Sequence, residues 1–160
     1  MNKDVRTCCF IGHRVINETE GLKNKLSARI KKLVADERVD TFLFGSKSRF
    51  DSLCLELVSD LKKEYPYIKR IYVRAEYPSI SDRYKDYLLE SYDETYYPER
   101  IIGAGKAVYV ERNYEMIDHS RFCIFYYDER KAPTDRKSGT KIALGYAQKR
   151  KKEVIIFPYQ

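Results

Sequence analysis

Unbroken apolar runs alternate with amphipathic stretches along the chain. Thr7-Cys8-Cys9-Phe10-Ile11 is a short continuous apolar run, the pattern of a strand buried on both faces. It ends at Gly12-His13-Arg14. Leu22, Leu26, Ile30, Leu33 and Val34 then recur at helical spacing, behind Asn17 as cap and Glu20 at the capping-box distance. Thr41-Phe42-Leu43-Phe44 predicts a second strand. Phe50, Cys54, Leu57, Val58 and Leu61 predict a second helix, which stops before Pro66. A third strand at Ile71-Tyr72-Val73 leads to a short tyrosine-rich helix that starts at Ser81-Asp82 and reaches Leu89.

Residues 92–105 carry weaker signals. Asp93 to Pro98 reads as loop, and Arg100-Ile101-Ile102 as an extra strand or extended segment. A helix from Lys106 to Ile117 follows, then a fourth strand from Phe122 to Tyr126. The charged stretch Asp128 to Lys137 reads as a mobile loop. Ser138-Gly139-Thr140 opens a last helix with Ile142, Ala143, Tyr146 and Ala147 on its apolar face, and Val154 to Phe157 closes the chain as a strand. Strands alternating with helices imply βαβ units with right-handed crossovers. The expected fold is α/β: a Rossmann-like three-layer sandwich with a mostly parallel sheet of about five strands, built as a single domain over residues 1–160. Ligands of such sheets sit outside the carboxyl ends of the strands, where the strand order reverses.

Those ends carry a consistent set of residues: Gly12, His13 and Arg14; Gly45, Ser46 and Arg49; Arg74 and Glu76; and Ser138, Gly139 and Thr140. Turns that enter helices offer backbone N–H groups and the helix dipole to anions. Each alone reads equally as a plain turn or cap. Together, on one rim, they point to a phosphate-bearing small molecule, with Arg14 as an anion fork. Arg112 and Asn113, on the helix before the fourth strand, are costly to bury without partners and suggest a polar pocket wall. Met116 shares the Arg112 face and reads as core. Asp51 reads as a cap of the second helix, with a ribose hydroxyl as its alternative partner. Glu76 and Glu115 are weak candidate acids, and nothing fixes either beside a nucleophile. The sequence contains no GxGxxG, GxxxxGK[ST] or GxSxG, which argues against the usual dehydrogenase, P-loop and hydrolase sites.

Composition changes this picture little. The chain is 43% hydrophobic with seven Gly and five Pro, which argues against disorder. Fifteen tyrosines supply rings with a polar handle, suited to half-buried surface, a pocket or an interface. The net charge of +7 favours anionic partners. Acidic residues are mixed in nearly everywhere, so nucleic acid is not the expected partner. Lys149-Arg150-Lys151-Lys152 reads as a dipole-matched helix end. Cys8, Cys9, Cys54 and Cys123 form no CxxC pair and read as reduced core residues of a cytoplasmic protein. His13 and His119 lack zinc-ligand spacing with them, and neither a metal nor a resident cofactor is expected. No apolar run approaches membrane-spanning length.

The runs Cys8 to Arg14, Gly45 to Asp51, Arg112 to Ser120, and Ser138-Gly139-Thr140 with Tyr146-Ala147 resemble the SLOG superfamily, and within it the YspA/YpsA-like group. The resemblance covers nearly the whole chain. It implies a Rossmann-like fold and distant kinship with the LOG phosphoribohydrolases, the DNA-uptake protein DprA, and sensor domains proposed to bind NAD or ADP-ribose derivatives. Two departures matter. Ser46 and Arg49 stand where relatives commonly have glycine. The catalytic Glu of the LOG enzymes is matched by Ala143. The resemblance therefore implies a cytoplasmic sensor or sequestering module for a nucleotide-derived small molecule, which would act by binding alone, as a homo-oligomer or with a partner. The alternative is a hydrolase of N-glycosidic or phosphate bonds.

Overall fold

The computed structural model describes residues 3–131 and 138–160. Among them, six strands form one all-parallel sheet: β1 (Thr7–Gly12), β2 (Thr41–Phe44), β3 (Lys69–Val73), β4 (Glu94–Tyr96), β5 (Phe122–Tyr126) and β6 (Glu153–Phe157). Their order is β4-β3-β2-β1-β5-β6. The chain runs outward from β1 to β4, returns to lay β5 beside β1, and ends at β6. The order reverses between β1 and β5, which makes that pair the switch point.

Alternation along β1 divides the core in two. Cys8 and Phe10 face one side, with Phe42, Phe44 and Tyr72; α1 (Glu20–Glu37), α2 (Arg49–Glu64) and α3 (Asp82–Leu89) cover them through Leu26, Ile30, Phe50, Leu53 and Leu88. Cys9 and Ile11 face the other side, with Leu43, Val73 and Phe125; α4 (Val108–Asp118) and α5 (Gly139–Lys149) cover them through Met116, Ile117, Ala143 and Ala147. A strand covered on both faces has no polar side to show, so β1 is apolar from Cys8 to Ile11 and β5 is a run of Phe, Cys, Ile and Tyr. All four cysteines are buried and unpaired. Among the described residues, no helix is long and apolar enough to cross a membrane.

The structure corrects four local expectations. Glu94–Tyr96 is a sixth strand rather than loop, paired in parallel with β3 from Ile71↔Glu94 to Val73↔Tyr96. It is a three-residue edge strand with a mixed polar surface, too short to show a period. Arg100-Ile101-Ile102 is not extended: Glu99–Ile101 forms a 3-10 turn that buries Ile101. The cap of α1 is Thr19, whose hydroxyl accepts from Leu22 N at 3.0 Å, whereas Asn17 lies before the helix, with its backbone N–H donating to the Tyr126 hydroxyl. The cap of α2 is Ser48, which accepts from Asp51 N at 3.1 Å; Asp51 is turned back toward the preceding loop. The charged stretch begins with a 3-10 turn at Glu129–Lys131, and its remainder, 132–137, lies outside the described residues.

The α1 assignment is tested by two substitutions followed by chemical denaturation. Thr19→Ala is expected to cost about 1 kcal/mol, while Asn17→Ala is expected to stay within about 0.5 kcal/mol of the parent. The reverse ranking would return the cap to Asn17.

Candidate functional site

The turns after β1, β2 and β3 meet the start of α5 over the carboxyl ends of the strands. They enclose an open cleft of about 730 Å³, a volume within the range of small-molecule sites. Its wall contains Gly12, His13, Arg14, Gly45, Ser46, Glu76, Arg112, Asn113, Ser138, Gly139 and Thr140. These residues span most of the sequence, and the switch-point topology gathers them. Lys47, Ser48, Asp51 and Tyr109 complete the polar lining.

Arg112 is the base of the cleft. It is only 5% exposed. Its Nη1 donates to the Gly45 carbonyl at the end of β2 and lies 3.5 Å from the Val73 carbonyl at the end of β3. Its Nε donates to Asn113 Oδ1 at 3.1 Å. These acceptors are neutral, and Nη2 has no hydrogen-bond partner among the described residues. Burial pulls the pKa of the group down, with Asp51 the largest opposing influence, yet a guanidinium keeps its charge in a protein. Gly45 makes this approach possible. A Cβ there would sit 2.6 Å from the Met116 sulfur and 2.7 Å from Arg112 Nε. Gly12 is similarly closed over the ring of Phe50.

Asp51 shapes the β2–α2 turn. Its Oδ2 accepts from the amides of Gly45 at 3.1 Å and Ser46 at 2.9 Å, and Oδ1 has no partner among the described residues. Burial pushes this carboxyl up to about 6, against the two amides and Arg112, which pull it down. Ser46 and Ser48 hydroxyls lie 3.0 Å apart and link the turn to the helix start. On the neighbouring turn, His13 Nε2 accepts from the Asp128 amide at 3.0 Å. The ring is therefore neutral with its proton on Nδ1, and burial holds its pKa below the ordinary value. Arg130 grips Asp128 through Nε and Nη2, both at 3.0 Å. The β1 and β5 ends are thus tied together.

Ser138 caps α5 by accepting from Lys141 N at 3.1 Å. Gly139 is exposed at the cleft, and Thr140 is buried beneath it. The starts of α5 and α2 both open on the cleft, so two positive dipole ends reinforce Arg112. Arg14 and Lys47 are exposed on its wall, with Lys47 Nζ donating to the Tyr84 hydroxyl at 3.3 Å. This arrangement suits an anion and offers no nucleophile–base pair.

Two sequence candidates lie elsewhere. Arg49 points away from the cleft into a two-pronged pair with Glu18, at 2.6 and 2.5 Å. Glu115 lies on another flank of α4, where it accepts from the Tyr96 hydroxyl at 3.0 Å and faces Arg100 and His119. Ala143 is packed in the core beneath α5. Tyr109 was not visible as a site residue because an exposed tyrosine is common in this chain; its spacing of three from Arg112 was the available signal. A larger trough of about 820 Å³ lies over α5, between Tyr114 and Tyr159. It follows the outside of a helix, whereas the strand-end turns converge on the smaller cleft. Among the described residues, no group of three or more His, Cys, Asp and Glu could hold a metal ion.

A six-stranded parallel sheet with a cationic cleft at its switch point defines a Rossmann-like α/β protein. Residues 13–159 match the model of the YspA SLOG family, and the chain belongs to that family. No curated protein matches it.

Two expectations follow from this geometry. Gly45→Ala drives a methyl into Arg112 and Met116 and is expected to destabilise the fold by about 1–3 kcal/mol; unchanged denaturant stability would contradict the close approach. The second concerns pH. The folded-state value of Asp51, about 6, lies above the unfolded one. The group therefore contributes its full stability below about pH 4. That contribution is lost as pH rises through the folded-state value. From about pH 3 to about pH 7 the parent protein is expected to lose roughly 3 kcal/mol relative to Asp51→Asn. Denaturant titrations of both proteins across that range measure it, and a pH-independent difference would rule out a raised carboxyl.

Proposed function

We propose that the protein binds a nucleotide-derived small molecule, of the NAD, ADP-ribose or nucleoside-phosphate type, and acts as a sensor or sequestering module. The observation that carries this reading is Arg112: a buried cation whose hydrogen bonds go to neutral oxygens, at the base of a cleft that two helix starts face. A buried charge of this kind is stabilised by an anion, and a phosphate at the Ser138-Gly139-Thr140 turn would add the amides of α5. Membership of the SLOG family supports the nucleotide part of the ligand. The residue three positions after Thr140 is Ala143, held in the core, which supports binding over the phosphoribohydrolase reaction.

Glu76 keeps a hydrolytic reading alive, because it is an exposed carboxylate on the cleft wall. In that reading it would serve as the acid that position 143 does not supply.

Calorimetric titration with NAD, ADP-ribose, cyclic ADP-ribose isomers and AMP tests the binding reading. At least one is expected to bind, and Arg112→Lys is expected to weaken that binding about tenfold or more, because a lysine cannot reproduce the planar fork. Heat from none of them would sink it. Chromatography of the same mixtures is expected to return the ligand intact; products whose formation is lost in Glu76→Gln would establish the hydrolytic reading instead.

A further inference from the structure

We propose that Tyr109 is the platform on which the ligand's base stacks, so that the cleft selects nucleotides carrying a base over bare sugar phosphates. This deepens the reading of the cleft as an anion site and rests on it.

Three aromatic rings belong to the cleft wall, Phe10, His13 and Tyr109, and the His13 ring is already held by the Asp128 amide and packed on Tyr126 and Tyr127. Phe10 is in the core, whereas Tyr109 is 52% exposed. Tyr109 stands in the first turn of α4, and the Arg112 guanidinium lies 5.9 Å from its ring centroid. Its hydroxyl makes no hydrogen bond among the described residues, so neither its polar tip nor much of its ring is used by the fold. A large ring left half bare inside a polar cleft is a surface for another flat, polarisable group.

Position makes that group a base. Arg112 reaches the carbonyls at the ends of β2 and β3, so Tyr109, one turn earlier, stands at the β2–β3 end of the cleft. The start of α5 follows β5, at the other end. In the strand order, β2 and β5 are separated by β1, which puts these two ends about 10 Å apart. A phosphate on the α5 amides would leave room for a ribose over Gly45 and Gly12, with its base over Tyr109. Arg112, whose guanidinium lies beside the ring at the β2–β3 end, supports the stacking platform as a cation.

The test is calorimetric titration of the parent protein, Tyr109→Ala and Tyr109→Phe with AMP, ADP-ribose, ribose 5-phosphate and inorganic phosphate. The parent is expected to bind AMP or ADP-ribose about tenfold or more tightly than ribose 5-phosphate. Tyr109→Ala is expected to abolish that preference while leaving ribose 5-phosphate and phosphate binding unchanged. Tyr109→Phe, which keeps the ring, is expected to retain it. Equal affinity of the parent for ligands with and without a base overturns the proposal. So does an equal weakening of all ligands in Tyr109→Ala, which would mark a structural role in supporting Arg112. So, too, does an intact preference in Tyr109→Ala. Binding of none of the four by the parent overturns the anion reading of the cleft itself, a result distinct from the others.

Discussion

The cleft depends on a charge held where charge is expensive. Arg112 carries its guanidinium under the ends of two neighbouring strands and spends its hydrogen bonds on main-chain carbonyls and one amide oxygen. Carbonyl dipoles soften the cost of burial without cancelling the charge. Other features follow from it. Position 45 favours glycine, because a Cβ there would sit 2.6 Å from the Met116 sulfur and 2.7 Å from Arg112 Nε, and one of them would have to shift. Asp51, buried beside the same turn, is pulled toward ionisation by Arg112 and pushed from it by burial. One ionised side chain and one carboxyl near its titration point share a single small space, so the net field of the cleft depends on pH as well as sequence.

The turns around that charge are held by different means. The β2–α2 turn is fastened by a carboxylate oxygen accepting two amides. The β1 turn is fastened by a neutral imidazole accepting a third, from the β5 end. In both cases a side chain acts as acceptor for backbone N–H groups that strand geometry leaves free. At the α5 start Ser138 takes the Lys141 amide, and Gly139 is exposed.

Much of the architecture was legible in the sequence, for a physical reason. Strands buried on both faces have to be apolar throughout, so β1, β2 and β5 announced themselves as runs, and the amphipathic helices between them implied parallel crossovers. β4 was not legible, since three edge residues are too few to show a period. The caps failed for a similar reason. Asn17 and Thr19 are both good caps, as are Ser48 and Asp51, and the choice between them is made by where the chain enters each helix and by tertiary contacts such as Asp51 Oδ2 on the Gly45 and Ser46 amides. At the cleft, the strand-end rule gathered most of the wall, because topology alone brings those turns together. It could not say which way a long side chain leaves its turn. Arg49 was drawn off by Glu18, and Glu115 by the far flank of its helix.

The shortness of β4 has a consequence for the outside of the sheet. An edge strand presents unpaired amides and carbonyls to any passing chain. On the β4 side that template is three residues long, and the Lys69–Glu94 ion pair at 3.2 Å stands at its start. The β6 side offers five residues, from Glu153 to Phe157. The two borders of the sheet are therefore unequal as templates. A strand arriving from another molecule would find a longer ladder beside β6 than beside β4.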